Sequence, residues 1–434
     1  MSTSLTGEKG FYGWINLAVT SVMGVAGGLY IVSFGYFLPF LVQEFGWNRG
    51  TASYAASINM IVMGICGPLA GIFVVKYGAR RALVLGNLMG CAGFFLLSFH
   101  NRMWELYLAY GILVGVGAGF GGLLASTTVL NNWFVRRRSL VLGICLGAGG
   151  LGGIFMGPAL MEFINTQGWR TTYVAMAAMI LLVSVILPAC LIRNKPQDMG
   201  QAPDGPGGAL SKSVSSKPGR QKAGYKTPVD FTASEAMHTL CLWLLIAYFC
   251  MNMTAMGALM THMIAHLLDI GIKSAVAALA LGLLSGVMTF AQFGAGLVGM
   301  RFSLLSIAVT GELFKIAGVL ILISTSSVLG IFVSMIVLGI GFGSVMVATF
   351  NIFPNYFGLS NYPKIMGNAR FFWAFLGSAG APLAGFIREA TGSYLPAYYM
   401  VIGILVAGLM CLVFAKPPVH PSLKKPQPVE TYAS

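Results

Sequence analysis

Long apolar stretches separated by short polar ones run along almost the whole chain of 434 residues. Twelve of these stretches are about 20 residues long or more, the length that an α-helix needs to cross a bilayer. The pattern therefore predicts an all-α membrane protein with twelve transmembrane helices, called here spans 1 to 12. They are predicted over residues 14–41, 51–75, 82–99, 104–131, 139–163, 171–192, 239–266, 274–299, 303–323, 327–352, 364–387 and 395–415.

One long polar stretch, residues 195–236, interrupts this pattern between spans 6 and 7 and is rich in Gly, Pro, Ser and Lys. That composition is typical of a flexible linker. It divides the chain into an N-terminal six-helix bundle over 1–194 and a C-terminal six-helix bundle over 237–415. The tail, 416–434, carries prolines and lysines and is predicted to be disordered.

Glycine patterns repeat between the two bundles. Gly115-Val-Gly117-Ala-Gly119 in span 4 returns as Gly339-Ile-Gly341-Phe-Gly343 in span 10. In span 5, Gly143 returns at the same offset as Gly367 in span 11. Small residues at such spacing let helices approach closely in lipid. A duplicated six-helix unit with a substrate site between its halves is a transporter architecture.

Composition and charge placement support a membrane location and exclude nucleic acid as a partner. Hydrophobic residues make up 57% of the chain and charged residues only 9%, whereas a soluble domain has about 25% charged residues. The net charge is +14, and most lysines and arginines fall on the side that holds both termini. The positive-inside rule predicts cytoplasmic termini in a multi-pass plasma-membrane protein, here a bacterial inner membrane. The seven cysteines show no disulfide or zinc spacing, and no cofactor is expected.

Three motifs resemble a known family. GPLAGIFVVKYGARR (67–81) resembles the loop 2–3 signature of the major facilitator superfamily, although Val75 replaces its acidic residue. Residues 132–153 are similar to the span 5 signature of monocarboxylate transporters, and 261–286 to the span 7–8 turn of bacterial monocarboxylate and oxalate/formate-type permeases. The resemblance implies two pseudo-symmetric six-helix bundles, the major facilitator fold, around a small organic anion. That branch commonly carries an arginine in span 8, where this chain has Gln292.

Arg370 is the main candidate for binding such an anion. It lies inside span 11, where a charge is costly and usually functional. A guanidinium group can bind a carboxylate through two oxygens. The alternative is a packing or gate arginine that bonds backbone carbonyls near the cytoplasmic mouth.

Three further titratable residues are candidates for proton coupling or gating: Glu312, His262 and His266. Glu312 lies three residues before Lys315 in span 9, so the two can instead neutralise each other as an internal ion pair. His262 and His266 are one turn apart at the outer end of span 7. They are interpreted as interfacial histidines, as a gate or proton site, or as metal ligands.

Polar residues on several spans are candidates for shaping the substrate pocket. They are Ser285, Thr289 and Gln292 on span 8, Asn252 on span 7, Tyr30 on span 1 and Asn351 on span 10. Such residues turn away from lipid, either towards a cavity or towards a neighbouring helix. Both alternatives remain open for each of them.

Together these features predict a monomeric secondary transporter of a small organic anion, with a monocarboxylate as the expected substrate, working by alternating access with proton symport or anion exchange. No hydrolase triad is evident, so an enzyme is not expected. The main alternative is an exporter of hydrophobic or weakly polar compounds, which the many methionines and the missing span 8 arginine favour. A non-transporting receptor is a third class without positive support.

Overall fold

A computed structural model of the chain describes residues 10–205 and 225–423. Within these ranges the secondary structure is helical and contains no β-strand. The spans of the N-terminal half are Gly13–Gly27 with Leu29–Phe45, Arg49–Tyr77, Ala79–Leu97, Met103–Trp133, Arg138–Gln167 and Trp169–Leu191. Those of the C-terminal half are Leu240–Asp269, Ser274–Val298, Leu304–Ser324, Val328–Phe357, Tyr362–Gly377 with Gly380–Thr391, and Leu395–Phe414. Short helical turns occur at Pro196–Met199, Ala233–Met237 and Pro421–Leu423.

Nine of the described helices are long and apolar enough to cross a membrane; they are spans 2, 3, 4, 6 to 10 and 12. Spans 1 and 11 fall short because each is broken, at Gly28 and at residues 378–379. Span 4 bends at Gly122. Span 5 is a continuous helix, Arg138–Gln167, of which the first part, 138–152, is apolar. Breaks at such positions are tolerated in a membrane where they border a cavity.

The glycine repeat corresponds to equivalent packing in the two halves. Gly117 lies so close to span 3 that a Cβ added to it would be 2.7 Å from the Cα of Gly90. A Cβ on Gly341 would be 2.6 Å from the Cγ of Lys315 on span 9. The duplicated sequence therefore folds into duplicated helix contacts, as predicted.

The two halves meet on one side of the molecule. We call this the linker side, because residues 195–205 and 225–232 lie there together with the start of span 1. Span 2 packs on span 11, where a Cβ on Gly71 would be 2.4 Å from the carbonyl oxygen of Pro363. Span 5 packs on span 8, where a Cβ on Gly143 would be 2.8 Å from the Cα of Gly296.

Burial shows that the halves separate on the opposite side, called here the far side. One cluster of buried apolar side chains joins both halves and includes Leu142 of span 5 and Ala295 of span 8. A second cluster belongs to the C-terminal half alone, and a third, around Phe37, belongs to the N-terminal half alone. The space between the halves therefore opens towards the far side.

The linker is better held than its composition predicts. The carboxylate of Asp204 accepts a hydrogen bond from the backbone N–H of Arg136, at 2.8 Å. The carboxylate of Asp230 accepts one from the N–H of Ser360, at 3.0 Å. These hydrogen bonds join the two ends of the linker to turns that are distant in sequence, and composition does not indicate them. Residues 206–224, and residues 424–434 of the predicted disordered tail, lie outside the described part of the chain.

Candidate functional site

A cavity of about 400 Å³ lies between the two halves, roughly half-way along the spans. Among the described residues, its lining comes from spans 1, 2, 3, 4, 5, 7, 8, 10 and 11. The helix breaks in spans 1 and 4 border it, through Gly28 and Gly122. The second part of span 4 begins there at Leu123, so the positive end of that helix dipole faces the cavity.

Arg370 lines this cavity and is only 6% exposed. Its Nη1 atom is buried without a hydrogen-bond partner in the described chain. The guanidinium carbon lies 5.5 Å from the centre of the Trp373 ring, a cation–π contact. None of the ion pairs found in the described ranges includes Arg370. A buried donor without a partner is costly, so this arginine is suited to an external anion rather than to packing.

Three more of the candidate pocket residues lie around the same cavity: Gln292, Asn252 and Tyr30. Gln292 is 6% exposed, and its Oε1 atom is buried without a hydrogen-bond partner among the described residues. It comes from span 8 of the C-terminal half, whereas Tyr30 comes from span 1 of the N-terminal half. Both halves thus contribute polar groups to the wall.

The other three candidates do not line the cavity. The Thr289 hydroxyl donates to the carbonyl of Ser285 at 3.0 Å, and its side chain packs against span 5. Ser285 donates to Leu281 at 3.0 Å, and the Asn351 amide donates to Val347 at 2.8 Å. Their polar groups bond to carbonyls of their own helices. A substrate contact for these three stays a prediction that their placement does not favour.

Glu312 and Lys315 form a buried ion pair behind the cavity wall. The Lys315 Nζ is 2.8 Å from Glu312 Oε2, and both side chains are 0% exposed. The Asn252 amide donates to Glu312 Oε1 at 2.7 Å, and its oxygen accepts from Lys315. Asn252 also donates to the Tyr248 carbonyl at 2.9 Å. The pair reaches the cavity wall through Asn252 and through Phe342, whose ring centre is 5.2 Å from Lys315 Nζ.

A neutral pair takes the corresponding place in the N-terminal half. The Tyr30 hydroxyl donates to Asn87 Oδ1 at 3.0 Å, and the Asn87 amide donates to the Gly121 carbonyl at 2.9 Å. Asn87 lines the cavity but was not among the sequence candidates. It stands at the repeat position of Glu312, and that correspondence was the signal that would have found it.

His262 and His266 lie near the far side, away from the cavity lining. His262 Nε2 is 2.9 Å from the carbonyl oxygen of Ala381, close to the break in span 11. His266 packs edge-on against Tyr398, with ring centres 4.7 Å apart. Asp269, close to His266 at the end of span 7, pairs with Arg388 at 2.9 Å. The described residues contain no group of three metal ligands, and a gate or proton role for the histidines stays a prediction.

On the linker side, side chains that the sequence had not indicated join the two halves below the cavity. The hydroxyl groups of Thr127 and Tyr362 are 3.2 Å apart, and one donates to the other. Arg138 at the start of span 5 donates to Asn355 Oδ1 at 3.1 Å. These bonds must break if the halves are to separate on this side.

The family model of the Major Facilitator Superfamily matches residues 18–311. The chain belongs to this superfamily, which agrees with the predicted twelve-helix fold in two bundles. It is 25% identical over 391 residues to monocarboxylate transporter 13 of Bos taurus, covering 88% of this chain and 84% of the relative. It is 25% identical over 429 residues to monocarboxylate transporter 2 of Rattus norvegicus, covering 93% and 83%.

Solved transporters share the fold. The transporter FucP in its outward conformation superposes with a TM-score of 0.68 at 17% identity, covering 94% of this chain and all of that chain. The proton:xylose symporter XylE gives 0.71 at 14% identity, covering 93% and 96%. The protein is thus a multi-pass membrane transporter and not an enzyme.

Proposed function

We propose that the protein carries a small organic anion, a monocarboxylate, by alternating access of its two halves. The observation that carries this proposal is the Arg370 side chain, a buried cation in the cavity wall with no carboxylate partner in the described chain. A guanidinium binds a carboxylate through two charge-assisted hydrogen bonds. The relatives named monocarboxylate transporters support the same class of substrate.

The contacts between the halves support a carrier that is open to the far side. With both termini in the cytoplasm of a bacterial inner membrane, as the positive-inside rule indicates, the far side is the outside. The transition to the opposite state would break the contacts between spans 2 and 11 and between spans 5 and 8. It would also break the Thr127–Tyr362 bond. We expect one monomer to suffice, because the cavity lies within a single chain.

Charge placement favours anion exchange over proton symport. Arg370 has no internal counter-charge, so the empty cavity keeps a buried cation that a bound carboxylate neutralises. Return of the empty carrier is therefore disfavoured. Symport would need a proton carrier, and Glu312 is the candidate closest to the cavity, although it is already paired with Lys315. Exchange predicts that carboxylate inside proteoliposomes accelerates uptake more than an inward proton gradient does.

The proposal is tested with Arg370→Gln in proteoliposomes, using labelled butanoate on the outside and unlabelled butanoate inside. We expect uptake to fall by about tenfold or more, because a charged hydrogen-bond partner is lost. The matched control is Arg388→Gln, which removes an arginine of the same span that pairs with Asp269 away from the cavity. Full uptake by a correctly folded Arg370→Gln protein would refute the proposal that Arg370 binds the carboxylate.

An exporter of hydrophobic or weakly polar compounds is the second candidate. The apolar wall of the cavity, with Phe249, Phe342 and Trp373, favours it. Competition separates the two functions: short carboxylates should displace the substrate of an anion carrier, and lipophilic cations should displace the substrate of the exporter. The buried Arg370 opposes binding of a cation.

A further inference from the structure

We propose that the preferred substrate is an amphipathic monocarboxylate, with one carboxylate group and an extended apolar body of roughly four to eight carbons. This inference rests on the proposed function and specifies its substrate. It distinguishes the protein from a carrier built for oxalate, formate or acetate. Three properties of the cavity support it: its charge, its polar groups and its methionines.

The cavity offers a single charge. Arg370 is the one cationic residue among its described lining residues, which include no carboxylate. A second carboxylate on the substrate would face apolar or neutral groups and would be buried without a counter-charge. Such burial is strongly unfavourable. A dicarboxylate is therefore a poor fit.

Most polar groups in the wall are already satisfied by the protein. Asn252 uses both amide hydrogens on Glu312 and Tyr248 and accepts from Lys315. Other polar side chains of the wall bond to protein groups in the same way: Tyr30 to Asn87, Thr20 to Asn16, and Ser126 to Gly122. Unpartnered buried atoms remain on two lining residues of the described chain.

Those two residues are Arg370, through Nη1, and Gln292, through Oε1. They come from spans 11 and 8 of the same half. Nη1 of Arg370 can donate to a carboxylate, whereas Oε1 of Gln292 only accepts hydrogen bonds and cannot bind one. Among these groups, the negative end of a substrate therefore has one charged donor to bind, at Arg370. A head group with an apolar body matches this distribution.

Methionines make up much of the remaining wall. Six line the cavity: Met23, Met63, Met253, Met256, Met288 and Met346. The flexible and polarisable thioether side chain adapts to ligands of different shape and packs well on rings. The wall is thus suited to aliphatic or aromatic bodies, and we expect tolerance of shape together with a strict need for one carboxylate.

Size completes the argument. A cavity of about 400 Å³ has room for many water molecules, each of which takes about 30 Å³ in the liquid. Acetate, with four heavy atoms, would leave most of this volume as water against an apolar surface. A longer chain displaces that water and buries apolar surface on both molecules.

The test measures binding to the full-length protein in lipid nanodiscs, with empty nanodiscs to subtract partition into lipid. The probes are the linear carboxylates from acetate to octanoate, each with its neutral amide, and oxalate. We expect affinity to rise by about fourfold per methylene until the cavity is filled. Each carboxylate should bind better than its amide, and oxalate should bind more weakly than butanoate.

Two sets of variants separate the head from the body. Met256→Gln with Met288→Gln should flatten the dependence on chain length and keep the preference for carboxylate over amide. Arg370→Gln should keep the dependence of affinity on chain length and remove the preference for carboxylate over amide. The control, Met199→Gln, changes an exposed methionine on the linker side outside the cavity and should alter neither.

The outcomes distinguish the two proposals. If carboxylates bind no better than amides in the unmodified protein, the proposed anion transport fails. If carboxylates are preferred but affinity does not rise with chain length, or oxalate binds most tightly, only the amphipathic substrate is refuted. A rise with chain length that persists unchanged in the double methionine variant also refutes it.

Discussion

Asp204 and Asp230 cap equivalent turns of the two halves, one from each end of the linker. Asp204 binds the backbone N–H groups of Val135 and Arg136 between spans 4 and 5. Asp230 binds those between spans 10 and 11, at the positions that repeat the first pair. The ends of the linker are thus structural parts of both bundles.

Removing either carboxylate should therefore loosen a turn on the linker side. We expect Asp204→Ala and Asp230→Ala each to lower the free energy of unfolding by about 1 kcal/mol, the usual value for a lost capping interaction. Thermal unfolding of the purified protein, followed by intrinsic fluorescence, measures this. Asp198→Ala is the control, because Asp198 bonds only to Lys195 within the linker. Equal effects of all three would contradict a specific capping role.

The Glu312–Lys315 pair should be sensitive to loss of one partner and tolerant of losing both. Glu312→Gln leaves a fully buried lysine without its counter-charge, and we expect a loss of about 3–5 kcal/mol. Glu312→Gln with Lys315→Met removes both charges and should recover most of that loss. Unfolding of the single and double variants provides the measurement. A double variant no more stable than either single variant would argue against direct pairing.

The same double variant tests proton coupling. If Glu312 carries the proton, the double variant should no longer show faster carboxylate uptake in a proton gradient. Its carboxylate exchange should stay intact. If it only maintains the shape of the wall through Asn252, both activities should change together. Uptake is measured in matched proteoliposomes with and without the gradient.

Close glycine contacts between the halves should limit substitution. Gly71→Ala and Gly143→Ala each place a Cβ within 3 Å of backbone atoms of the other half. Backbone cannot yield easily, so we expect the far-side-open state to be disfavoured and uptake to fall by about tenfold. Gly403→Ala in span 12 is the control, since its Cβ would have no neighbour within 4 Å among the described residues. Wild-type uptake by both interface variants would show that this contact is not needed for transport.

A buried histidine on the far side should make stability depend on pH. His100 lies between spans 3 and 4, packs on Trp169 at 5.1 Å, and donates from Nδ1 to the Leu97 carbonyl at 2.6 Å. Burial lowers its pKa below the ordinary 6.5; Arg170 adds to this, while the Leu97 carbonyl and the carboxylates of Glu105 and Glu44 oppose it.

The sign of the effect follows from proton uptake. Below pH 6.5 the unfolded chain binds a proton on His100 that the folded protein resists, so stability present at neutral pH is lost as pH falls through the lowered pKa. We expect His100→Phe to reduce this loss of stability at acidic pH. Melting temperatures from pH 5 to 8 for both proteins provide the test. Parallel curves would rule out His100 as the cause.

The sequence predicted the twelve spans and their duplication because both depend on local patterns: apolar length and glycine spacing. It also indicated Arg370, Asn252, Gln292 and Tyr30, which the fold brings to one cavity. Polarity alone could not distinguish these cavity-lining residues from Thr289, which does not line the cavity. A polar side chain in hydrocarbon turns inward, but helix rotation and local bonding decide whether it meets a cavity or another helix.

Other features depended on contacts between distant segments. The Arg138–Asn355 bond spans two halves of the chain, and no local pattern indicates it. The linker aspartates were missed for a similar reason, because they act through hydrogen bonds to backbone N–H groups that are far away in sequence. The sequence shows that the chain has many methionines. It does not show that the fold brings six of them, from five spans, to one cavity wall.

The paired contacts of span 5 on span 8 and of span 11 on span 2 have the form of an isologous interface, as between two identical subunits. Each half carries both surfaces, and the glycines that make them, Gly143 and Gly367, occupy the same place in the repeat. A six-helix half is in this sense self-complementary. The chain is built like a dimer whose subunits are joined end to end, and joining them lets equivalent positions differ: Arg370 stands in one copy and Leu146 at the same place in the other.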